Sequence, residues 1–247
     1  MKKLLNITAL IFICLITYTN IQAQVVVSPA FHAVQYHHEF KCGDNVSFTY
    51  NGSVVTYGTV ESQGRCWLDR NLGATQVATS STDANAYGDL FQWGRGDDGH
   101  QNRSIASVSG QSSLTTPTGG QAGKFLHGFG NWYNGSNPND LWQGVSGTNN
   151  PCPSGWRVPT ETEWNTERLS WAPNNNATGA INSPLKLPLA GWRSCSDGSL
   201  FDVGSSGGYW SSSVDGTASR GLYFYSGNAS MDVGIRAHGF SLRCIKD

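Results

Sequence analysis

No feature of this chain limits its fold more than the placing of its cysteines behind an apolar leader. Lys2 and Lys3 precede an apolar run from Leu4 to Ile16, and a polar stretch ending at the small residue Ala23 follows. That order is the charged, apolar, small-residue pattern of a secretory signal peptide, with cleavage expected before Gln24. The run is short for a membrane span, and Ile13 before Cys14 is too large for the usual lipidation signal. Cys14 is therefore expected to leave with residues 1–23. Five cysteines remain: Cys42, Cys66, Cys152, Cys195 and Cys244. In an exported chain they read first as disulfides, and the odd count leaves one thiol over. None has metal-ligand spacing and no CxxC pair exists. Residues 24–40 read as a linker or a first strand, and His37-His38 within them has no cysteine or carboxylate cluster nearby and reads as solvated.

About 220 residues follow the leader, enough for one large domain or two small ones. Charged side chains make up 13% of the chain, roughly half the usual share, while 30 glycines and 9 tryptophans are present. Without Lys2 and Lys3 the balance is 14 basic against 17 acidic side chains. A slightly acidic surface gives no electrostatic case for a nucleic-acid partner. After the leader no apolar run reaches spanning length, so the mature chain is not expected to cross a membrane. The polarity comes from Ser, Thr, Asn and Gln, which favours a loop-rich, β-rich fold over a helical bundle.

Local signals divide the chain. In "VSFTYNGSVVTYGTV" (46–60), β-branched and aromatic runs flank Asn51-Gly52, which supplies the two positive φ angles of a type I′ turn and predicts a β-hairpin. Cys42 and Cys66 flank the hairpin, and a bridge between them would close it. Residues 78–150 are rich in Ser, Gly, Asn, Thr and Gln with tryptophans spaced through them, and predict long ordered loops, a feature that tends to be functional or mobile. In "NNPCPSGWRVPTETEWN" (149–165), Thr160 followed by Glu163 is a capping box, predicting a helix from Glu161 to about Leu169. Short apolar or aromatic runs at 185–194, 207–213, 220–227 and 238–244 predict four strands, the last ending in Cys244. One or two helices with short antiparallel strands make an α+β domain.

Taken together, "CGDNV", "GRCWLDRNLGAT", "YGDLFQWGR", "NPCPSGWRVPTETEWN", "LPLAGWRS", "GYWSSS" and "GFSLRCIKD", in this order, resemble the Fibrobacter succinogenes major paralogous domain. The resemblance covers residues 41–247. More distantly, "RVPTETEW" and "GFSLRC" are similar to segments of the sulfatase-modifying-factor group. The resemblance implies a C-type-lectin-like α+β fold in a secreted or surface protein, and it implies no activity. It also implies that Cys152 at the helix entry pairs with Cys244, a long-range bridge of lectin-like folds, which leaves Cys195 as the odd thiol. The active-site cysteine motif of the formylglycine-generating enzymes is absent, so their oxidase chemistry does not carry over.

No complete catalytic constellation appears. Ser183 and Lys186 have Ser-x-x-Lys spacing, but the partner motifs are missing and Pro188 spoils a helix. Cys195, between Arg193 and Asp197, reads either as a reactive thiolate or, more ordinarily, as a buried spare thiol. Asp97, Asp98, His100 and Asn102 offer ligands that suit calcium, against the ordinary reading of a solvated loop. Arg95-Gly96-Asp97 is an integrin-type tripeptide, a match short enough to arise by chance. Asn137-Pro138-Asn139 lacks the Trp-Asn-Asp partner of calcium-dependent sugar loops.

Flat aromatic faces suit sugar rings. Trp67, Trp156, Trp164, Trp192 and Trp210 lie in the shared motifs and are expected in the core. Trp93, Trp132, Tyr133 and Trp142, with Asp97, Asp98 and His100, are the candidate ligand face in the loops. Arg193, Asp197, Arg220, Tyr223, Tyr225, Asp232 and Arg236 form a second candidate face, because interfaces favour Arg and Tyr. The expectation is an exported, non-catalytic recognition and adhesion module for a surface glycan or protein. The alternatives are a structural subunit that self-associates, or a Cys195-dependent enzyme.

Overall fold

Asn51 and Gly52 adopt φ of 47° and 74°, the pair of positive angles the hairpin turn requires. Across them β1 (Val46–Tyr50) and β2 (Ser53–Tyr57) pair antiparallel, with Tyr50 opposite Ser53. This computed structural model describes residues 39–247. The leader, most of the linker, Cys14 and the His37-His38 pair lie outside the described residues. Lys41–Asp247 forms one unit.

A second antiparallel pair, β3 (Thr59–Ser62) and β4 (Arg65–Leu68), follows directly. The bridge Cys42–Cys66 closes the whole segment as the flanking positions suggest. The long loops then carry only three short strands: β5 (Phe91–Gln92), β6 (Ser107–Ser109) and β7 (Phe125–His127), the last two parallel to each other. β8 (Trp156–Arg157) leads to helix α1 (Glu161–Leu169).

The capping box is formed in both directions: Glu163 N–H donates to Thr160 Oγ1 (3.3 Å), and Thr160 N–H donates to Glu163 Oε2 (2.8 Å). The same carboxylate takes two hydrogen bonds from Arg157 (2.7 and 2.8 Å), and Arg157 Nε donates to Asp247 (2.7 Å). Against the upward pull of its burial, the bonds from Arg157 and Thr160 hold the Glu163 carboxyl down at about 2. Helix entry and chain end are thus one electrostatic junction. A short second helix, α2 (Ala177–Asn182), starts where Asn176 Oδ1 accepts from Thr178 and Gly179 N–H.

The C-terminal part is mainly antiparallel. β9 (Trp192–Arg193) and β10 (Leu200–Phe201) pair with each other. β11 (Ser206–Asp215), β12 (Ala218–Tyr225) and β13 (Ala229–Gly234) form a three-stranded sheet in that order, with α1 packed across it. β14 (Gly239–Phe240) joins β9 to β5, and β15 (Ile245–Lys246) lies between β4 and β8. Strands from both ends of the domain therefore share a sheet. Cys152–Cys244 locks that same junction, its Cα atoms 5.8 Å apart.

The fold corrects two expectations. Of residues 185–194 only Trp192–Arg193 joins a ladder; Pro184 and Pro188 supply no N–H, and Lys186 sits at φ 50°. Leu185, Leu187 and Leu189 are buried without pairing. The last strand also begins after Cys244 rather than ending in it. The main core gathers Trp67, Trp164, Trp171, Tyr209, Leu222 and Phe224 between helix and sheet.

Candidate functional site

The first candidate face is not a surface. Trp93, Trp132 and Trp142 are at most 1% exposed and Tyr133 is buried, which corrects the expectation of a loop platform. Each indole N–H donates to a backbone carbonyl: Trp93 to Ser211 (2.8 Å), Trp132 to Trp93 (2.7 Å), and Trp142 to Arg95 and Asn149 (3.2 and 3.1 Å). Irregular backbone leaves carbonyls without ladder partners, and a tryptophan brings both a donor and a large apolar face to them. Buried arginines complete the arrangement. Arg236 lies over Trp93 (4.4 Å) and Arg95 over Trp132 (5.2 Å).

The acidic loop beside them is equally engaged. Asp97 accepts the N–H of Asn51 (2.9 Å), tying the loop to the hairpin turn. Asp98 pairs with Arg95 (2.8 Å) through one oxygen and with His100 Nδ1 (2.6 Å) through the other. His100 is fully buried, and its Nε2 accepts the N–H of Gln92 (3.0 Å), so the ring carries its proton on Nδ1. Burial, with Arg95 alongside, pushes His100 far below its usual range. Burial pulls the Asp98 carboxyl up, but hydrogen bonding to His100 and the charge of Arg95 outweigh it and hold it well below. Among the described residues no cluster of three or more His, Cys, Asp or Glu side chains is arranged to hold a metal.

The second candidate face divides. Arg193 and Arg236 are buried and serve loop carbonyls: Arg193 reaches Gly198 and Ile105 (both 2.7 Å), and Arg236 reaches Ala218 (2.9 Å) and Asn139 (2.7 Å). This too corrects the expectation of an exposed face. Asp197 accepts from Ser199 N–H (3.0 Å), and Arg220 pairs with Glu161 (2.8 Å). Tyr225 is 48% exposed. Tyr223 and Asp232 alone among the predicted residues line a common cleft.

That cleft, ≈ 280 Å³, lies over the β12–β13 ladder, with Trp192, His238 and Phe240 on its other side. Gly221 and Gly234 form part of its lining. A Cβ at Gly234 would come within 2.4 Å of the Trp210 ring and 3.2 Å of Phe240, so the rings lie directly against the strand. The aromatic contacts run on from one ring to the next. Phe201 stacks on Trp192 (5.0 Å), Trp192 meets His238 edge to face (4.9 Å), His238 stacks over Phe240 (6.0 Å), and Tyr223 tilts against Phe240 (6.0 Å). Trp192 is fixed by its N–H on Asp202 (3.0 Å). Trp192, expected in the core, is half-buried, whereas the other eight tryptophans are buried. The rim is apolar: Phe201, Val233 and Ile235 are 43%, 53% and 45% exposed.

His238, Phe240, Val233 and Ile235 escaped the sequence reading. The available signal was the pair of strand glycines, since a glycine inside a strand marks a bulge or a close approach by another group.

Cys195, the free thiol, stands behind this cleft. Its N–H donates to His238 Nδ1 (3.1 Å), and its Sγ lies 3.8 Å from Nε2. Burial, with Asp197 near, pushes the thiol up, and burial pushes His238 down. Both groups therefore favour their neutral forms, the reverse of a thiolate–imidazolium pair. Comparison with protein-family models, curated proteins and solved structures returns no match.

Proposed function

We propose that this chain is an exported, non-catalytic recognition module that binds an extracellular protein through the aromatic cleft between β12–β13 and Trp192–His238. The observation that carries it is the continuous run Phe201, Trp192, His238, Phe240 and Tyr223, rimmed by exposed Val233 and Ile235. Apolar side chains exposed side by side around a concavity mark a place where another surface comes off water. Trp and Tyr are the anchors such interfaces use, and Asp232 and the Tyr223 hydroxyl supply directed polar contacts. Two disulfides fit an oxidising compartment. The likeness to the Fibrobacter succinogenes major paralogous domain, and through it to a C-type-lectin-like scaffold, supports the same reading. The neutral Cys195–His238 pair weighs against a thiol enzyme.

The test is capture of cross-linked partners from the surface-protein fraction, with and without calcium, using the wild-type domain and Val233→Asp. Val233 is exposed, so the variant keeps the fold while placing a charge on the rim. Loss of the same partner in the variant supports the reading, and undiminished capture contradicts it. One observation favours a second reading, a self-associating structural subunit: β13 is the outer strand of its sheet, with Val233 exposed on it. Ordered oligomers on sizing with no captured partner would move the conclusion there.

A further inference from the structure

A second cleft, on the first hairpin, is built from different chemistry. Two adjoining hollows of ≈ 510 and ≈ 290 Å³ share Gly73, Thr75, Asp89 and Asn102, within the size range of small-ligand sites. Tyr50 and Tyr57 are buried against it, so their rings offer no stacking face. Their hydroxyls are fixed: Tyr50 OH donates to Asp89 Oδ2 (2.7 Å), and Tyr57 OH accepts the N–H of Gly73 (3.0 Å). Gly73 lies at φ 82°, and a Cβ there would reach Asp89 Oδ2 at 2.4 Å, so glycine is what admits the carboxylate to this position.

Asp89 is then left with an unused acceptor. Among the described residues nothing donates to its Oδ1, and no cationic group lies within ion-pair distance of the carboxylate. Burial pushes its carboxyl above the usual range, as expected for a carboxylate short of partners. Arg103, at the far end, is held in place: Nη2 bonds Ala190 O (2.6 Å), the guanidinium lies over the Tyr87 ring (5.5 Å), and Nη1 is buried away from the cleft. Arg70 forms a rigid wall, held by Asp69 (2.7 and 2.9 Å) and Thr75 O (3.1 Å), and its charge is cancelled there. Asp89 and Arg103 do not pair directly but bring one charge of each sign to the cleft, so a net charge on the ligand gains little. The rest of the rim is uncharged and mostly polar, with Asn51, Ser53, Thr56 and Thr75 beside the apolar Val55 and Ala74.

We infer that this cleft binds a neutral saccharide of one or two pyranose rings, one of whose hydroxyls donates to Asp89 Oδ1 while its neighbours bond the polar rim. A sugar hydroxyl donates to the open carboxylate oxygen while its neighbours exchange hydrogen bonds with the hydroxyls and amide of the rim, which is what a site with one open acceptor and a polar rim selects. This inference does not rest on the aromatic cleft. Its test is titration calorimetry and saturation-transfer NMR on the whole protein with cellobiose, lactose and maltose, and with glucuronate and glucosamine as charged controls. At least one neutral disaccharide should bind, and Asp89→Asn should weaken it by about tenfold, as for loss of a hydrogen bond to a charged group. Thr75→Trp, on an exposed rim position, should abolish binding at unchanged thermal stability, and carries the test where Asp89→Asn does not fold. Trp192→Ala, in the other cleft, should leave it intact. No binding by any neutral sugar, tighter binding of a charged control, or binding that survives Thr75→Trp would overturn the inference.

Discussion

The loop segment 78–150 and the strand segment 192–240 are both rich in aromatic rings; both bury rings such as Trp132 and Trp210, but the strand segment also opens some of its own to a cleft. In the loops Trp93, Trp132 and Trp142 are buried and donate to backbone carbonyls, Trp93 to one within β11 and the other two to loop residues. In the strand segment Trp192, Phe201 and Tyr223 line an open cleft or its rim. The difference is backbone regularity. Paired strands satisfy one another's amides and send alternate side chains to opposite faces, so one face is free to meet a ligand. An irregular loop must recruit side chains to satisfy it, and its largest rings become internal posts. Abundant tryptophan therefore says less about binding than does the backbone that carries it.

The largest expected effect falls on both regions together. Replacing Cys152 and Cys244, separated by 92 residues, by serine should lower stability by about 4–5 kcal/mol in chemical denaturation. For the Cys42–Cys66 bridge, separated by 24, the same measurement should give about 3 kcal/mol. Next, Trp132→Ala should cost about 3–5 kcal/mol, as for other fully buried aromatics. Trp192→Ala, half-buried, should cost about 1 kcal/mol or less while removing partner binding. Equal stability losses at the two positions would dissolve the contrast between the regions.

The loop posts should also be acid-sensitive. His100 is held neutral in the fold with its pKa pushed down, whereas the unfolded chain takes up a proton below about 6.5. Stability is then fully present above that pH and is lost as pH falls, by up to about 1.4 kcal/mol per pH unit. The Asp98 carboxylate, also held low, adds loss in the same direction below about 4. Unfolding free energies measured from pH 7 to pH 4 should fall in the wild type and fall less in His100→Gln. A smaller effect, about 1 kcal/mol, is expected at the helix entry for Thr160→Ala.

What was legible in the sequence is what local chemistry decides. Asn51-Gly52 specifies its turn through φ, and Thr160 with Glu163 specifies its helix start through two hydrogen bonds. Tyr223 and Asp232 were legible as candidates because they sit in a β-patterned stretch rich in interface-type side chains, and both line the aromatic cleft. The remainder depends on contacts distant in sequence. β13 offers little apolar alternation of its own and becomes a strand by pairing with β12. Arg193 and Arg236 read as surface residues until loops far along the chain, at Asn102, Ile105 and Pro138, cover them. Trp192 is left half-open by the course of its neighbours, which its motif does not encode.

Collisional quenching of tryptophan fluorescence tests the central claim most directly, because Trp192 is the one tryptophan of nine that is not buried. Iodide should quench a single class of emitter, that class should vanish in Trp192→Phe, and bound partner should protect it. Partner binding that leaves Trp192 as quenchable as before would contradict the assignment of the aromatic cleft as the ligand face.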